Sequence, residues 1–69
     1  MLETNIPFSL RLQIIRKNKR MTQEELATKA GLSQIQISNY ETDRHTPSLT
    51  KLKTLCKILD VTATELLGY

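Results

Sequence analysis

The sequence predicts an all-α fold of five short helices. Three observations point there. Apolar residues recur at spacings of three and four along most of the chain, the period of one helical face. Hydroxyl residues stand just before such runs, and at Thr22 and Thr62 a glutamate follows three positions later, the capping-box spacing. The β-branched residues are scattered and never alternate for long, so no strand is expected.

Residues 1–6 are expected to form an N-terminal arm, and residues 7–69 one small domain. Pro7 suits a helix start, because its missing N–H has no intrahelical partner there. The first helix should run from Pro7 or Phe8 to Asn18, with Phe8, Leu12 and Ile15 on one face. Leu10 and Ile14 form a second apolar edge, expected to pack against the end of the chain rather than against a second copy. Met21 should tuck under the second helix.

The centre of the chain is Thr22 to Glu41, TQEELATKAGLSQIQISNYE. Thr22 caps a helix expected from Gln23 to Ala30. Gly31 then lets the chain leave in a left-handed conformation. Ser33 caps the next helix, expected from Gln34 to Glu41. Leu26, Ala30, Leu32, Ile37 and Tyr40 can face one core, and Ala27 is small where two helices would approach closely. Two helices joined by a short turn containing glycine make a helix-turn-helix.

Thr42 to Pro47 is a polar turn. Ser48 caps a fourth helix from Leu49 to Leu59, whose apolar face is Leu49, Leu52, Cys56 and Leu59, with Leu55 beside it. Asp60 to Thr62 is a break. Thr62 and Glu65 open a fifth helix that ends near Gly68.

Sixty-nine residues leave little chain for a deep catalytic cavity. Cys56 is the single cysteine, so neither an intramolecular disulfide nor a cysteine metal cluster can form. A reducing compartment fits. His45 lies in a polar loop with no second histidine or cysteine to share a metal; a solvated loop residue or a phosphate contact is the expectation. Cys56 falls on an apolar face, where a free thiol behaves as a small hydrophobe. No nucleophile has a paired base and no glycine-rich phosphate loop is present, so catalysis is not expected. No apolar run approaches the roughly 20 residues that span a bilayer, and the N-terminus lacks a signal-peptide pattern. A soluble cytoplasmic protein without cofactor or metal is expected.

The formal net charge of +3 is modest. Its distribution is more informative. Arg11, Arg16, Lys17, Lys19 and Arg20 fall within residues 11–20, with no acid among them. Such a patch suits a polyanionic partner, although a solvated helix face accounts for it as well.

Gln23, Leu26, Ala27, Gly31, Leu32, Ile37, Tyr40 and Glu41 sit at the spacing of the lambda-repressor-like and Cro-like helix-turn-helix proteins. Phe8, Arg11, Leu12, Ile15 and Arg16 resemble the first helix of that family. Pro47, Ser48, Leu52, Leu55, Leu59, Val61, Glu65 and Leu66 resemble its last two. The family pattern often has glycine where Asp43 stands; aspartate tolerates the left-handed region better than most residues.

The resemblance implies a compact five-helix DNA-binding domain whose third helix enters the major groove. It implies that Arg16 pairs with Glu41 and locks the first helix to the third. Ala27, Gly31, Ile37 and Tyr40 are the other structural positions. Gln34, Ile35, Gln36, Ser38 and Asn39 then become candidates for base contacts. Their face is uncharged and rich in amides, where an ordinary exposed helix carries Lys and Glu. Amides can bond the adenine edge, and an aliphatic can touch a thymine methyl. Gln23, Arg44, Arg16, Ser33, Thr42 and Lys19 are expected on phosphates. The expected partner is double-stranded operator DNA, bound by a homodimer that forms on the DNA, with Leu66, Leu67 and Tyr69 as the dimer contact. No small-molecule effector is implied. A controller-type activator of a restriction–modification system and an antitoxin-like protein-binding module are the alternatives.

Overall fold

Four helices open on a hydroxyl side chain that accepts a first-turn backbone N–H. Thr22 accepts from Glu25, Ser33 from Gln36, Ser48 from Lys51 and Thr62 from Glu65. The computed structural model describes residues 6–68. These form α1 (Phe8–Asn18), α2 (Gln23–Ala30), α3 (Gln34–Glu41), α4 (Leu49–Leu59) and α5 (Ala63–Leu67). The bounds expected for α2, α3 and α4 are met. Pro7 stands just outside α1 as its N-cap, and its carbonyl accepts the Arg11 N–H at 2.9 Å. Of the expected arm, Ile6 alone is described, and Tyr69 also lies outside the described residues.

Three of the helices, α2, α4 and α5, stop on left-handed residues. Gly31 ends α2 at φ 70°, Asp60 ends α4 at φ 56° and Gly68 ends α5 at φ 88°. Asp43, after α3, is also left-handed at φ 61°, as the glycine-like position implied. Arg20 adopts φ 58° in the α1–α2 turn, which nothing in its residue type foretold.

The five helices close into a ring: α1 packs on α3, α3 on α2, α2 on α4, α4 on α5 and α5 back on α1. Leu12, Ile15, Leu26, Ala27, Ile37, Tyr40, Leu52, Leu55, Leu59 and Leu66 fill its centre. Phe8, Met21, Ala30, Leu32 and Cys56 pack around them, partly buried. Burying a leucine-sized side chain contributes about 1.5–3 kcal/mol, so this shared core is what holds such short helices.

Two expectations fail. Leu49 is 66% exposed rather than part of the buried face of α4. It is the first residue of the helix, a turn short of the core that Leu52 reaches. Leu66 is fully buried at 0% exposure, so it cannot form a dimer contact without unfolding α5. Leu10 and Ile14 differ from each other: Leu10 stays exposed, while Ile14 is half-buried.

Candidate nucleic-acid interface

The position of α3 is fixed at its C-terminal end by one carboxylate. Arg16 Nε donates to Glu41 Oε2 at 2.6 Å, and Nη2 donates to Oε1 at 3.0 Å. Arg16 Nη1 also donates to the Met21 carbonyl at 2.7 Å, tying in the turn before α2. Gln23 Nε2 adds a bond to Glu41 Oε1 at 3.0 Å, and Gln13 Nε2 donates to the Glu41 carbonyl at 2.9 Å. Residues of α1 and α2 therefore converge on the last residue of α3. A charge buried this way is tolerable because both carboxylate oxygens accept hydrogen bonds and the arginine neutralises the charge.

At the other end, Ser33 and Gln36 form a reciprocal capping box. Ser33 Oγ accepts the Gln36 N–H at 3.1 Å, and Gln36 Oε1 accepts the Ser33 N–H at 2.9 Å. Both ends of the helix are thus held, and its outward face is left open.

That face carries Gln34 and Ile35, both exposed, with Gln36, Ser38 and Asn39 half-buried beside them. Ile35 is 73% exposed, an isoleucine with no packing role inside the protein. Glu41 is the one charge on α3, and Arg16 neutralises it. In chain order, Lys17, Lys19 and Arg20 precede α2 and Arg44 follows α3, all four exposed.

The structure sorts the expected phosphate contacts. Arg44, Lys19 and Ser33 are exposed. Gln23 gives one amide hydrogen to Glu41 and keeps another, and its backbone N–H lies in the first turn of α2, where no helical carbonyl reaches it. Thr42 donates its hydroxyl hydrogen to the Ser38 carbonyl at 2.8 Å, so that proton is already used. Arg16 is buried and committed to Glu41 and Met21. His45 is exposed, with its backbone N–H on the Asn39 carbonyl at 3.2 Å. Burial raises the pKa of the Cys56 thiol, and the Glu65 carboxylate adds to this.

Three residues have structural roles that the sequence reading does not assign. Gln13 was an unremarked polar position of α1. Gln36 completes the Ser33-x-x-Gln36 capping box, a spacing plainly visible in the chain. Arg11 was counted within the basic patch, yet it is 2% exposed and donates to the carbonyls of Ile6 at 2.8 Å and Glu65 at 3.1 Å.

The helix-turn-helix family model matches residues 12–66. The chain belongs to the helix-turn-helix family. Among solved helix-turn-helix proteins it is similar to the P22 c2 repressor in complex with a synthetic operator, at TM-score 0.84 and 28% identity over 88% of this chain and 92% of that one. It is also similar to the restriction–modification controller protein C.AhdI of Aeromonas hydrophila, at TM-score 0.83 and 32% identity over 87% of this chain and 91% of that one. In sequence it is 36% identical over 58 residues to the immunity repressor protein of Bacillus phage phi105. That match takes in 84% of this chain and 40% of the phage protein, so the chain spans well under half the length of this relative. No described helix is long and apolar enough to cross a membrane, and no described group of side chains is arranged to hold a metal ion.

Proposed function

We propose that this chain is a sequence-specific double-stranded DNA-binding regulator of transcription, most simply a repressor. The observation that carries the reading is the open face of α3: an uncharged, amide-rich surface with Ile35 at 73% exposure, clamped at both ends. Its amides match base edges in a major groove, and its exposed isoleucine matches a thymine methyl. Gln34, Ile35 and Asn39 read bases, with Ser38 and Gln36 at the margin. Arg44, Lys19, Ser33 and the first turn of α2 at Gln23 grip phosphates and set the register. The P22 c2 repressor, solved on an operator, supports this docking.

The protein acts as a homodimer on a two-fold operator, with half-sites roughly 34 Å apart, one turn of DNA. Regulation is by occupancy of a promoter, in the cytoplasm, without enzymatic activity, cofactor or small-molecule effector. The likeness to C.AhdI favours one second reading, a controller that activates by touching polymerase. An antitoxin-like module is disfavoured, because Ile35 alone makes too small an apolar patch for a protein partner. Selection from random DNA tests the proposal. A palindromic consensus is expected; no enrichment at low salt would overturn it.

A further inference from the structure

We infer that Gln36 is a one-sided reader of DNA that favours guanine, while Gln34 reads adenine. The inference rests on the DNA-binding reading of α3 above. The two glutamines stand on the same turn of one helix, yet the capping box makes them chemically different. Gln36 Oε1 accepts the backbone N–H of Ser33 at 2.9 Å, and its own N–H goes to Ser33 Oγ at 3.1 Å. A backbone N–H must be met by an oxygen, so the orientation of this amide is set by chemistry. The oxygen is turned back to the protein, and the Nε2 hydrogens are left to point away. Gln36 is half-buried and adjoins the exposed Ile35, so its free end stays at the margin of the proposed reading face.

An amide recognises adenine by using both of its ends. Its NH2 gives to N7, and its oxygen takes from the N6 amino group. Gln36 cannot turn both ends to one base edge without opening its cap. Its NH2 alone matches an edge that carries acceptors and no donor; thymine offers one, O4 beside its methyl, and guanine offers two, O6 and N7, so guanine is the better match. Facing adenine, the same NH2 would meet the N6 donor beside N7. Gln34 has neither restraint: its side chain makes no hydrogen bond among the described residues, so both amide ends stay available.

Two variants test this. Gln36→Glu keeps the oxygen that caps Ser33 and removes the donors, so folding should be preserved. Gln36→Met removes both. Operators are selected from random DNA with the wild type and each variant, and thermal unfolding is followed in parallel. The wild type should favour guanine at one position of each half-site. Gln36→Glu should unfold at the same temperature and change that position toward cytosine, whose N4 donor suits a carboxylate. Gln36→Met should lose the preference there, about tenfold, with the other positions intact. A consensus unchanged in both variants would overturn the inference and leave the DNA-binding reading standing. In the uncharged variant Gln36→Met, an equal loss of affinity on all sequences would overturn it too, by placing Gln36 on a phosphate. A wild type that selects no sequence would overturn the DNA-binding reading and this inference together.

Discussion

Arg16 and Glu41 meet as a bidentate pair across the α1–α3 boundary, with Arg16 Nε 2.6 Å from Glu41 Oε2 and side chains 9% and 2% exposed. The pair joins the scaffold to the helix that carries the proposed reading face. Its removal one residue at a time leaves the partner buried and unpaired. Glu41→Ala should therefore cost about 3–5 kcal/mol in denaturant unfolding. Replacing both residues together with apolar side chains of similar volume should restore much of that loss. A Glu41→Ala protein as stable as wild type would mean the pair is solvated in solution.

Phosphate contacts differ from base contacts in how they respond to salt. Arg44 is exposed, and its backbone N–H is held to the Asn39 carbonyl at 2.9 Å, so its side chain is free to vary without disturbing α3. Arg44→Ala should weaken all sequences alike and reduce the salt slope of binding by about one unit. Titrations at several salt concentrations on operator and bulk DNA measure this. An altered base preference would instead move Arg44 into the groove.

Two turns should respond in opposite directions to a change of glycine content. Gly68 sits at φ 88°, and a Cβ there would lie 2.7 Å from Arg11 Nε. Arg11 is buried and bonded to Glu65, so it cannot simply swing away. Gly68→Ala should cost about 1–3 kcal/mol. Arg20 holds φ 58° with a full side chain in an exposed turn. Arg20→Gly should gain about 1 kcal/mol, since glycine reaches that region without the Cβ clash. Unfolding midpoints of the two variants check both signs.

The capping box of α2 gives a pH dependence. Glu25 Oε1 accepts the Thr22 N–H at 3.0 Å, which with the Thr22 hydroxyl holds its pKa below the usual carboxylate range. The folded state therefore favours the charged form. Its contribution is complete above the pKa of an unfolded glutamate and is lost as pH falls through the lower folded-state value. Glu25→Gln should keep the cap and lose this acid sensitivity. Stability measured from neutral pH downward should fall more steeply in the wild type. Parallel curves would show that the carboxylate is not engaged in solution.

The helices were legible because local signals coincide with them. Thr22, Ser33, Ser48 and Thr62 mark starts that the structure keeps, and Gly31 and Gly68 mark ends. Periodicity also found Leu12, Leu26, Ile37 and Leu59. It failed at Leu49, because a spacing pattern cannot say how far the core extends along a helix. Arg11 and Arg16 show a second limit. Both read as basic surface, yet each is buried on partners far along the chain, Arg11 on the Glu65 carbonyl and Arg16 on Glu41. For Arg16 the family resemblance supplied what composition could not. Gln36 was legible as a polar residue and as a capping spacing, but its amide orientation is set only when the Ser33 N–H meets its oxygen in the fold.

The open face of α3 separates affinity from folding. Gln34 lies in the first turn after the Ser33 cap, exposed and without a hydrogen bond among the described residues. Gln34→Ala should leave stability within about 0.5 kcal/mol of wild type, as for surface changes that break no cap or core contact. On the selected operator it should cost about 1–3 kcal/mol of affinity, and much less on random DNA, because a base-edge contact is lost and phosphate contacts remain. Ile35→Ala should behave in the same way on folding, since an isoleucine 73% exposed gives up little buried area when shortened. Its affinity loss should appear on the thymine operator and vanish where that thymine is replaced by cytosine, as the wild type then loses the same contact. The measurements are paired, operator and bulk-DNA affinity beside thermal unfolding of the same variant. If Gln34→Ala unfolded earlier but discriminated as well as the wild type, α3 would be a structural element and the recognition face would lie elsewhere.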